Sequence, residues 1–425
     1  MRTTRLLLLV AIASPAFGQR GGPRPARPIL IRDVTVIDGT GASARVHQDL
    51  VLRAGKIAAV VATGTAPAPA PDSVIDGRGL YAIPGLIDAH VHLGTGPWDE
   101  RATTLKSGLL GGITTVLDVA GDARAVGDLQ RAVVAGQIPG PHIHYLALFG
   151  GPAFFTDPRV LDASRGYTAG SAPWMQAVSD TTDFSQAVTL ARGTGAGGIK
   201  LYAALDSIAV TKATDAAHRQ GLRVIAHATT FPGRPLDLIA AGVDMLVHTP
   251  YLVWQGSPRT ADFPARARGD FLSVPANSPV MERVLTEMRD HGSALNPTLL
   301  VFEAASDDSL GKVRTPWMNA VTHRAAQLGV RIVAGTDGFV DARRDSLPLL
   351  HRELELLVSR AGLTPLQAIA AATRNAAWAA SADQTTGTIA VGMDADLVLL
   401  SGDPTADIRN TRAIRSVIQS GRVVR

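Results

Sequence analysis

The chain has 425 residues, 46% of them hydrophobic and 18% charged, a balance that excludes a disordered polymer and can support a large core. Lysine and arginine number 41 against 37 aspartate and glutamate, a net charge of +4, and no run of five basic residues occurs, so no nucleic-acid partner is expected. Cysteine is absent, which excludes disulfides, thiolate metal sites and a cysteine nucleophile.

The first segment reads as an address. Met1 to Arg5 carries two arginines, Leu6 to Ala13 is an unbroken apolar run, and Ala16-Phe17-Gly18 offers small residues for cleavage. That order predicts a secretory signal peptide over 1–18 and an extended linker over 19–28. The mature protein is then expected outside the cytoplasm, secreted or periplasmic. Eight apolar residues fall far short of the ~20 that span a bilayer, so no stable membrane anchor is expected.

Residues 29–80 alternate apolar and polar positions in Ile29-Leu30-Ile31, Val34-Thr35-Val36-Ile37, Leu50-Val51-Leu52 and Ile57-Ala58-Ala59-Val60, with Asp38-Gly39 and Ala54-Gly55 as turns. The pattern returns at 381–425, in Ala395 to Leu400 and Ala413 to Val424, with Ser420-Gly421 as a turn. Both ends are expected to build one small β-sandwich domain, with the middle of the chain inserted between them.

The middle, 81–380, repeats strand then helix. Predicted strands are Ala82–His92, Thr114–Val119, His142–Phe149, Gly198–Tyr202, Arg223–His227, Met245–His248, Ser293–Leu299 and Arg331–Asp337. Helical patterns lie between them, among them Leu236–Ala241, Val280–His291, Ala320–Leu328 and Leu347–Arg360. Eight such units predict an α/β fold, a (β/α)8 TIM barrel with long loops, one of them Gly256 to Pro279. A doubly wound sheet also alternates β and α, but no Gly-x-Gly-x-x-Gly follows the first strand.

His90, His92, Lys200, His227, His248 and Asp337 all fall at the C-terminal ends of predicted strands, the face where barrel active sites are built. His90 and His92 are two apart, so on a strand both point to one side and can share a metal ion. Lys200 interrupts an apolar strand; it is either a lysine reaching out to water or one whose burial lowers its pKa. A neutral amine can take up carbon dioxide as a carbamate, whose two oxygens can bridge two metals. His227 and His248 end runs 21 residues apart, hence on neighbouring strands. Asp337 is either an N-cap or a metal ligand and general base. Each has an ordinary structural reading alone; six such residues in strand-end positions point to a metal site.

Taken together, these residues resemble the amidohydrolase superfamily over nearly the whole mature chain. Ile75-Asp76-Gly77-Arg78-Gly79 through Pro84 to His92 looks like its strand-one signature, and Gly392-Met393-Asp394-Ala395-Asp396-Leu397-Val398 like the entry to its C-terminal β domain. Ile199-Lys200-Leu201-Tyr202 is similar to the imidazolonepropionase-related group that includes binuclear prolidase-like and carboxypeptidase-like dipeptidases. The resemblance implies two divalent metal ions, zinc foremost. His90 and His92 would bind the more buried ion, His227 and His248 the second. Lys200, as N6-carboxylysine, would bridge them, and Asp337 would bind the first and move the proton. Tyr202, on the same strand face as Lys200, would donate a hydrogen bond to the substrate. One departure stands out: relatives carry Gly-Gly-His after strand three, and this chain carries Phe149-Gly150-Gly151-Pro152. His142 and His144 sit near the start of that strand, away from the catalytic end, and read as structural.

The implied function is hydrolysis of an amide or peptide bond in a small molecule, of the dipeptide or N-acyl amino acid class. A mononuclear hydrolase of a cyclic amide or C=N bond is the alternative, but such relatives place a proton carrier just after the strand-five histidine. Ala228-Thr229-Thr230-Phe231 offers none. Lactone or other ester hydrolysis stays open, as does a homo-oligomer. A barrel kept as a non-enzymatic scaffold would have lost ligands, and none is lost. The remaining histidines, including His351 beside Glu353 and Glu355 on a solvated helix face, are expected to be structural or on the surface.

Overall fold

The computed structural model describes residues 28–65, 73–259, 262–303, 308–340 and 347–425. The expected signal peptide at 1–18 and nearly all of the 19–28 linker lie outside those residues. Among the described residues, no helix is long and apolar enough to cross a membrane.

Both chain ends meet in one sheet. Ile29–Val36, Arg45–Arg53 and Lys56–Ala62 form an antiparallel meander. Its hairpin turn, Ala54-Gly55, has positive φ at both positions (50° and 80°), the geometry that continues the strand twist. Ser73–Asp76 and Tyr81–Pro84 run parallel to the first strand. From the far end, Leu397–Leu400 pairs antiparallel with Tyr81–Pro84, and Ile414–Gln419 and Arg422–Val423 extend the sheet past a second such turn at Ser420-Gly421. Ile31, Leu50 and Leu52 from one end share a core with Leu397, Leu399 and Ile418 from the other.

The inserted middle is α/β with parallel sheets, as expected. Leu86–Val91, Ile113–Asp118 and His142–Tyr145 form one. Ala147–Gly150, Gly198–Leu201, Arg223–His227, Met245–Val247 and Ala294–Asn296 form the parallel run of another, which begins with a short hairpin. Leu86–Val91, Ile113–Asp118 and Gly198–Leu201 are buried at every position, as strands of a parallel sheet covered on both faces are.

Four predicted strands differ clearly from the observed ones: Ser293–Leu299 shortens to Ala294–Asn296, with Leu299 opening a helix, and three others are broken. Ala82–His92 is two strands, Tyr81–Pro84 in the mixed sheet and Leu86–Val91 in the parallel one. The break is Gly85, where a Cβ would lie 2.0 Å from the Thr114 hydroxyl, so only glycine lets the chain pass between sheets there. His142–Phe149 divides at Leu146, whose N–H still bonds to the Asp118 carbonyl of the first parallel sheet (3.0 Å) while Ala147–Gly150 joins the second. Arg331–Asp337 forms no regular strand: Ile332 bridges to Leu295 and Gly338 to Val91, both parallel. Between them the Ala334 N–H turns to the Ala371 carbonyl (3.0 Å), which interrupts the ladder.

The helix predicted over Leu347–Arg360 is observed as Leu350–Ser359, and its expected solvated face is a correction. His351 and Glu353 are both fully buried. The Glu353 carboxylate accepts the N–H groups of Leu299 (2.9 Å) and Leu300 (2.8 Å), the otherwise unpaired start of Leu299–Glu303. Burial pushes its pKa up to about 8, against those two bonds. Glu355 does reach the surface side, where Arg352 and Arg412 hold it at 2.9 and 2.7 Å. Glu353→Ala is expected to cost about 1–3 kcal/mol, because two buried donors lose their acceptor. Urea unfolding measures it; a change under about 0.5 kcal/mol would mean that the helix start finds another partner.

Candidate metal centre

Parallel strands end at one face, and their last residues converge there. His90 is the penultimate residue of Leu86–Val91, and His92 follows it. Lys200 lies in Gly198–Leu201, with Tyr202 just after; His227 closes Arg223–His227; His248 follows Met245–Val247. Asp337 stands one residue before the bridge at Gly338. All seven predicted site residues line a single cavity of about 290 Å³.

The four imidazoles are oriented alike. The His92 Nδ1–H donates to the Ala120 carbonyl (2.9 Å), and the His227 Nδ1–H to the Tyr202 carbonyl (2.9 Å). The His90 Nδ1–H donates to Asn296 Oδ1 (2.8 Å), because the amide nitrogen of Asn296 is committed to the Val333 carbonyl (2.9 Å). The His248 Nδ1–H donates to the Thr298 hydroxyl (2.7 Å), whose own hydrogen goes to the Pro297 carbonyl (2.8 Å). Each ring thus donates through Nδ1 and turns its Nε2 toward the cavity, where the His92 Nε2 donates to the Asp337 carboxylate (2.9 Å). Sequence reasoning missed Asn296 and Thr298. Asn296 carries the signal used for the histidines, a polar residue closing an apolar strand; Thr298 carries none. Asn296→Ala is expected to weaken metal binding 10- to 100-fold by freeing the His90 ring, measurable by competition with a chromophoric chelator. Unchanged affinity would show that the ring is held by packing alone.

One carboxylate collects three of these nitrogens. Asp337 oxygens lie 2.9 Å from His92 Nε2, 3.3 Å from His90 Nε2 and 4.0 Å from His248 Nε2. The ligand atoms of His90, His248 and Asp337 all fall within 4.8 Å of one another. The His227 ring is 5.1 Å from that of His248, on the opposite flank. Asp337, His248 and Thr298 have φ of 54°, 71° and 51°, conformations that cost non-glycine residues energy. Their concentration here marks a site that the surrounding structure holds in place. The chain passes close behind it at Gly335, where a Cβ would meet the His90 Cβ at 2.7 Å.

Charge at the site follows from burial. Desolvation holds His90, His227 and His248 below the ordinary histidine value, the last two well below, so all three are neutral at pH 7. For His92 burial is outweighed by the hydrogen-bonded Asp337 carboxylate, and its pKa is raised. Burial works against a charged Asp337, yet the surrounding imidazoles hold it far below the ordinary carboxylate range. Lys200 is 1% exposed, its Nζ has no hydrogen-bond partner among the described residues, and desolvation brings its pKa down to about 7. Behind the cluster, buried Asp88 accepts from the Thr336 hydroxyl (2.7 Å) and N–H (3.1 Å) and from the His90 N–H (3.2 Å), and burial raises its pKa to about 7.

Two loops close the opposite wall. Pro152–Thr156 and Pro158–Ala163 bring Phe154 and Arg159; the Gly256 to Pro279 loop brings Phe263 and Arg266. Tyr202 stacks on Phe154 (ring centroids 4.6 Å apart) and touches His227 (4.2 Å), so it is a wall of the cavity rather than core filler. Sequence reasoning missed Tyr251, Arg159 and Arg266, because loop residues carry no periodic signal. The Pro152 departure places no histidine here. His142 and His144 do not line the cavity; His142 faces Asp396 (3.5 Å) and burial brings the His144 pKa down to about 4. His47, His218, His291, His323 and His351 likewise pair elsewhere.

A family described as "Amidohydrolase family" matches residues 81–424. The D-hydantoinase of Streptomyces coelicolor is 40% identical over 86 residues, 19% of this chain and 18% of that protein, so the match spans less than a fifth of that relative. A structure described as a "putative prolidase" from Bifidobacterium longum is 25% identical with a TM-score of 0.71, covering 94% of this chain and 95% of the other. A Xaa-Pro dipeptidase with bound methionine in its active site has the same fold, at 21% identity and a TM-score of 0.71, over 93% of this chain and 99% of the other.

Proposed function

The chain belongs to the amidohydrolase family, and from that premise we propose that it is an exported two-metal hydrolase cleaving the amide bond of a dipeptide or N-acyl amino acid. The observation that carries this is the convergence of four imidazole Nε2 atoms, an ionised Asp337 and a buried, unpartnered Lys200 amine on one cavity. That donor set fits two divalent ions, and imidazole with carboxylate suits zinc. His90, His92 and Asp337 would hold one ion, and His227 and His248 the other. Lys200 would bridge them as its carbamate: the neutral Nζ attacks carbon dioxide, an N–C bond forms, and the displaced proton leaves to solvent. Bound divalent ions supply Lewis acidity, which brings water toward ionisation at neutral pH and polarises a carbonyl.

The residues of the chain do the rest. Asp337, ionised at neutral pH, takes the proton of the attacking water and delivers it to the leaving amine. The Tyr202 hydroxyl, kept protonated by burial, donates to a substrate oxygen. Tyr202 stacks on Phe154, and Phe263 meets both rings edge to face, an aromatic cluster beside the cavity that would help exclude bulk water. After His227, Thr229 and Thr230 are tied to the carbonyls of Tyr251 and Leu205, which leaves no proton carrier there and favours the two-metal reading over the mononuclear one.

The architecture belongs to the same proposal: a signal peptide at 1–18, a (β/α)8 barrel over 81–380 and a β-sandwich from 29–80 and 381–425. The parallel strand pairings and the bridges Val91–Gly338 and Leu295–Ile332 support the barrel; the shared sheet of both ends supports the second domain. The test is a screen of the zinc-loaded mature protein on dipeptides and N-acyl amino acids, reading free amine with and without chelator. Chelator-sensitive release is the expected result. No release from a protein with two ions bound would move the activity to lactones, other esters or cyclic amides.

A further inference from the structure

The wall facing the metal ligands is built unlike the rest of the cavity. Two separate segments each deliver a guanidinium to the cavity lining, Arg159 from beside Phe154 and Arg266 from the segment whose Phe263 ring packs on Phe154. The two rings meet edge to face at 5.4 Å, so the loops join over the cavity and carry their arginines to the same mouth. Arg266 is half-buried, lies over the Phe263 ring at 4.2 Å and donates to the Phe263 carbonyl (3.1 Å). Its own carbonyl is anchored by the Trp254 indole N–H (3.1 Å), and its guanidinium sits beside the Tyr251 hydroxyl. Arg159 is held by Asp157 through two bonds (3.0 and 2.7 Å) and sits beside the Tyr202 hydroxyl.

Asp157 is also the N-cap of Pro158–Ala163, so its carboxylate is already shared between helix and guanidinium. Two cations against one committed carboxylate leave this mouth positive. Asp157 already takes the Arg159 fork, so Arg159, exposed at the rim, contributes charge, while the half-buried Arg266 guanidinium offers the planar geometry that matches a carboxylate better than an ammonium does. The same cavity is also lined by the apolar side chains of Leu148, Val160 and Met175.

The geometry points to Arg159 and Arg266 as a carboxylate-recognising pair that selects amides whose leaving amine is an amino acid with a free α-carboxylate and an apolar side chain. This rests on the amide-hydrolase reading above. It adds that the carboxylate is read by the two arginines, and that neutral amides are discriminated against.

The probes are N-acetyl-L-phenylalanine and its primary carboxamide, which differ only in that charge. Calorimetric titration into the zinc-loaded protein is expected to show the acid binding at least roughly ten-fold tighter. Arg266→Ala and Arg159→Ala should each remove most of that preference with zinc content unchanged, which separates the arginines from the ions as partners for the carboxylate. Arg266→Lys should restore only part of it, because the fork is lost. In hydrolysis, the alanine variants should raise KM for the acid more than they lower kcat. Equal affinity for acid and carboxamide, a preference that survives loss of both arginines, or no binding of either probe would overturn the inference. Preferential binding of the acid by a protein that hydrolyses no amide would leave the arginine pair standing and remove the hydrolase reading instead.

Discussion

Lys200→Ala is expected to abolish stoichiometric binding of two metal ions and to lower kcat/KM by on the order of 10³-fold or more. The reason is local. Lys200 is buried in the middle of Gly198–Leu201 with an amine that no protein group accepts from, a costly arrangement unless the amine is used. Alanine leaves the flanking imidazoles in place but removes the group proposed to join the two ions. Metal analysis and kinetics on one preparation test this; two ions and near-native rates in the variant would end the carbamate proposal. The same burial predicts a pH signature in the chelated protein. The folded-state pKa is about 7 against an ordinary value of 10.5. Below about pH 7 the amine is charged in both states, and burying that charge counts fully against folding. Between those values only the unfolded chain holds the proton, so stability rises with pH, by on the order of a few kcal/mol in total. Lys200→Met should flatten that rise, and it should make the chelated protein more stable at pH 6. A chelated wild type whose stability is level from pH 7 to 10 would show that the amine is not desolvated.

Asp337→Asn is the second change with a large expected effect. The amide keeps the size and one oxygen donor but cannot carry the proton. The prediction is a kcat lower by about 10²–10⁴-fold, with a smaller loss of bound metal. Position 337 accommodates asparagine well, since asparagine tolerates the left-handed φ of 54° found there. The backbone N–H of residue 337 would still bond to the His90 carbonyl (2.8 Å), so the fold around the site should persist. A kcat within ten-fold of wild type would remove Asp337 from proton transfer and leave it a metal ligand only.

Much of the candidate site was legible because a parallel strand ends in a fixed place. A polar residue closing an apolar strand must face the common end of the sheet, and His90, His227 and His248 each did so in sequence. The tautomers were not legible. They depend on Asn296, Thr298 and the carbonyls of Ala120 and Tyr202, which lie up to 206 residues from their histidines. Nor was the fate of Arg331–Asp337, because its pattern is that of a strand while its hydrogen bonds are divided among three neighbours. Glu353 was misread for a related reason. Helical spacing tells which residues share a face, but not that a second helix start waits there to be capped.

Read alone, the chain marks which residues can ligate a metal, that they fall at the ends of predicted strands, and that two distant segments share one β pattern. These follow from periodicity, which is local. The tertiary structure decided which nitrogen each imidazole offers, how far Lys200 is removed from water, and which loop cations face the ligands across the cavity. Those depend on groups brought together from separate parts of the chain, where a hydrogen-bond partner or a loss of solvent changes a side chain's chemistry without any trace in its neighbours along the sequence.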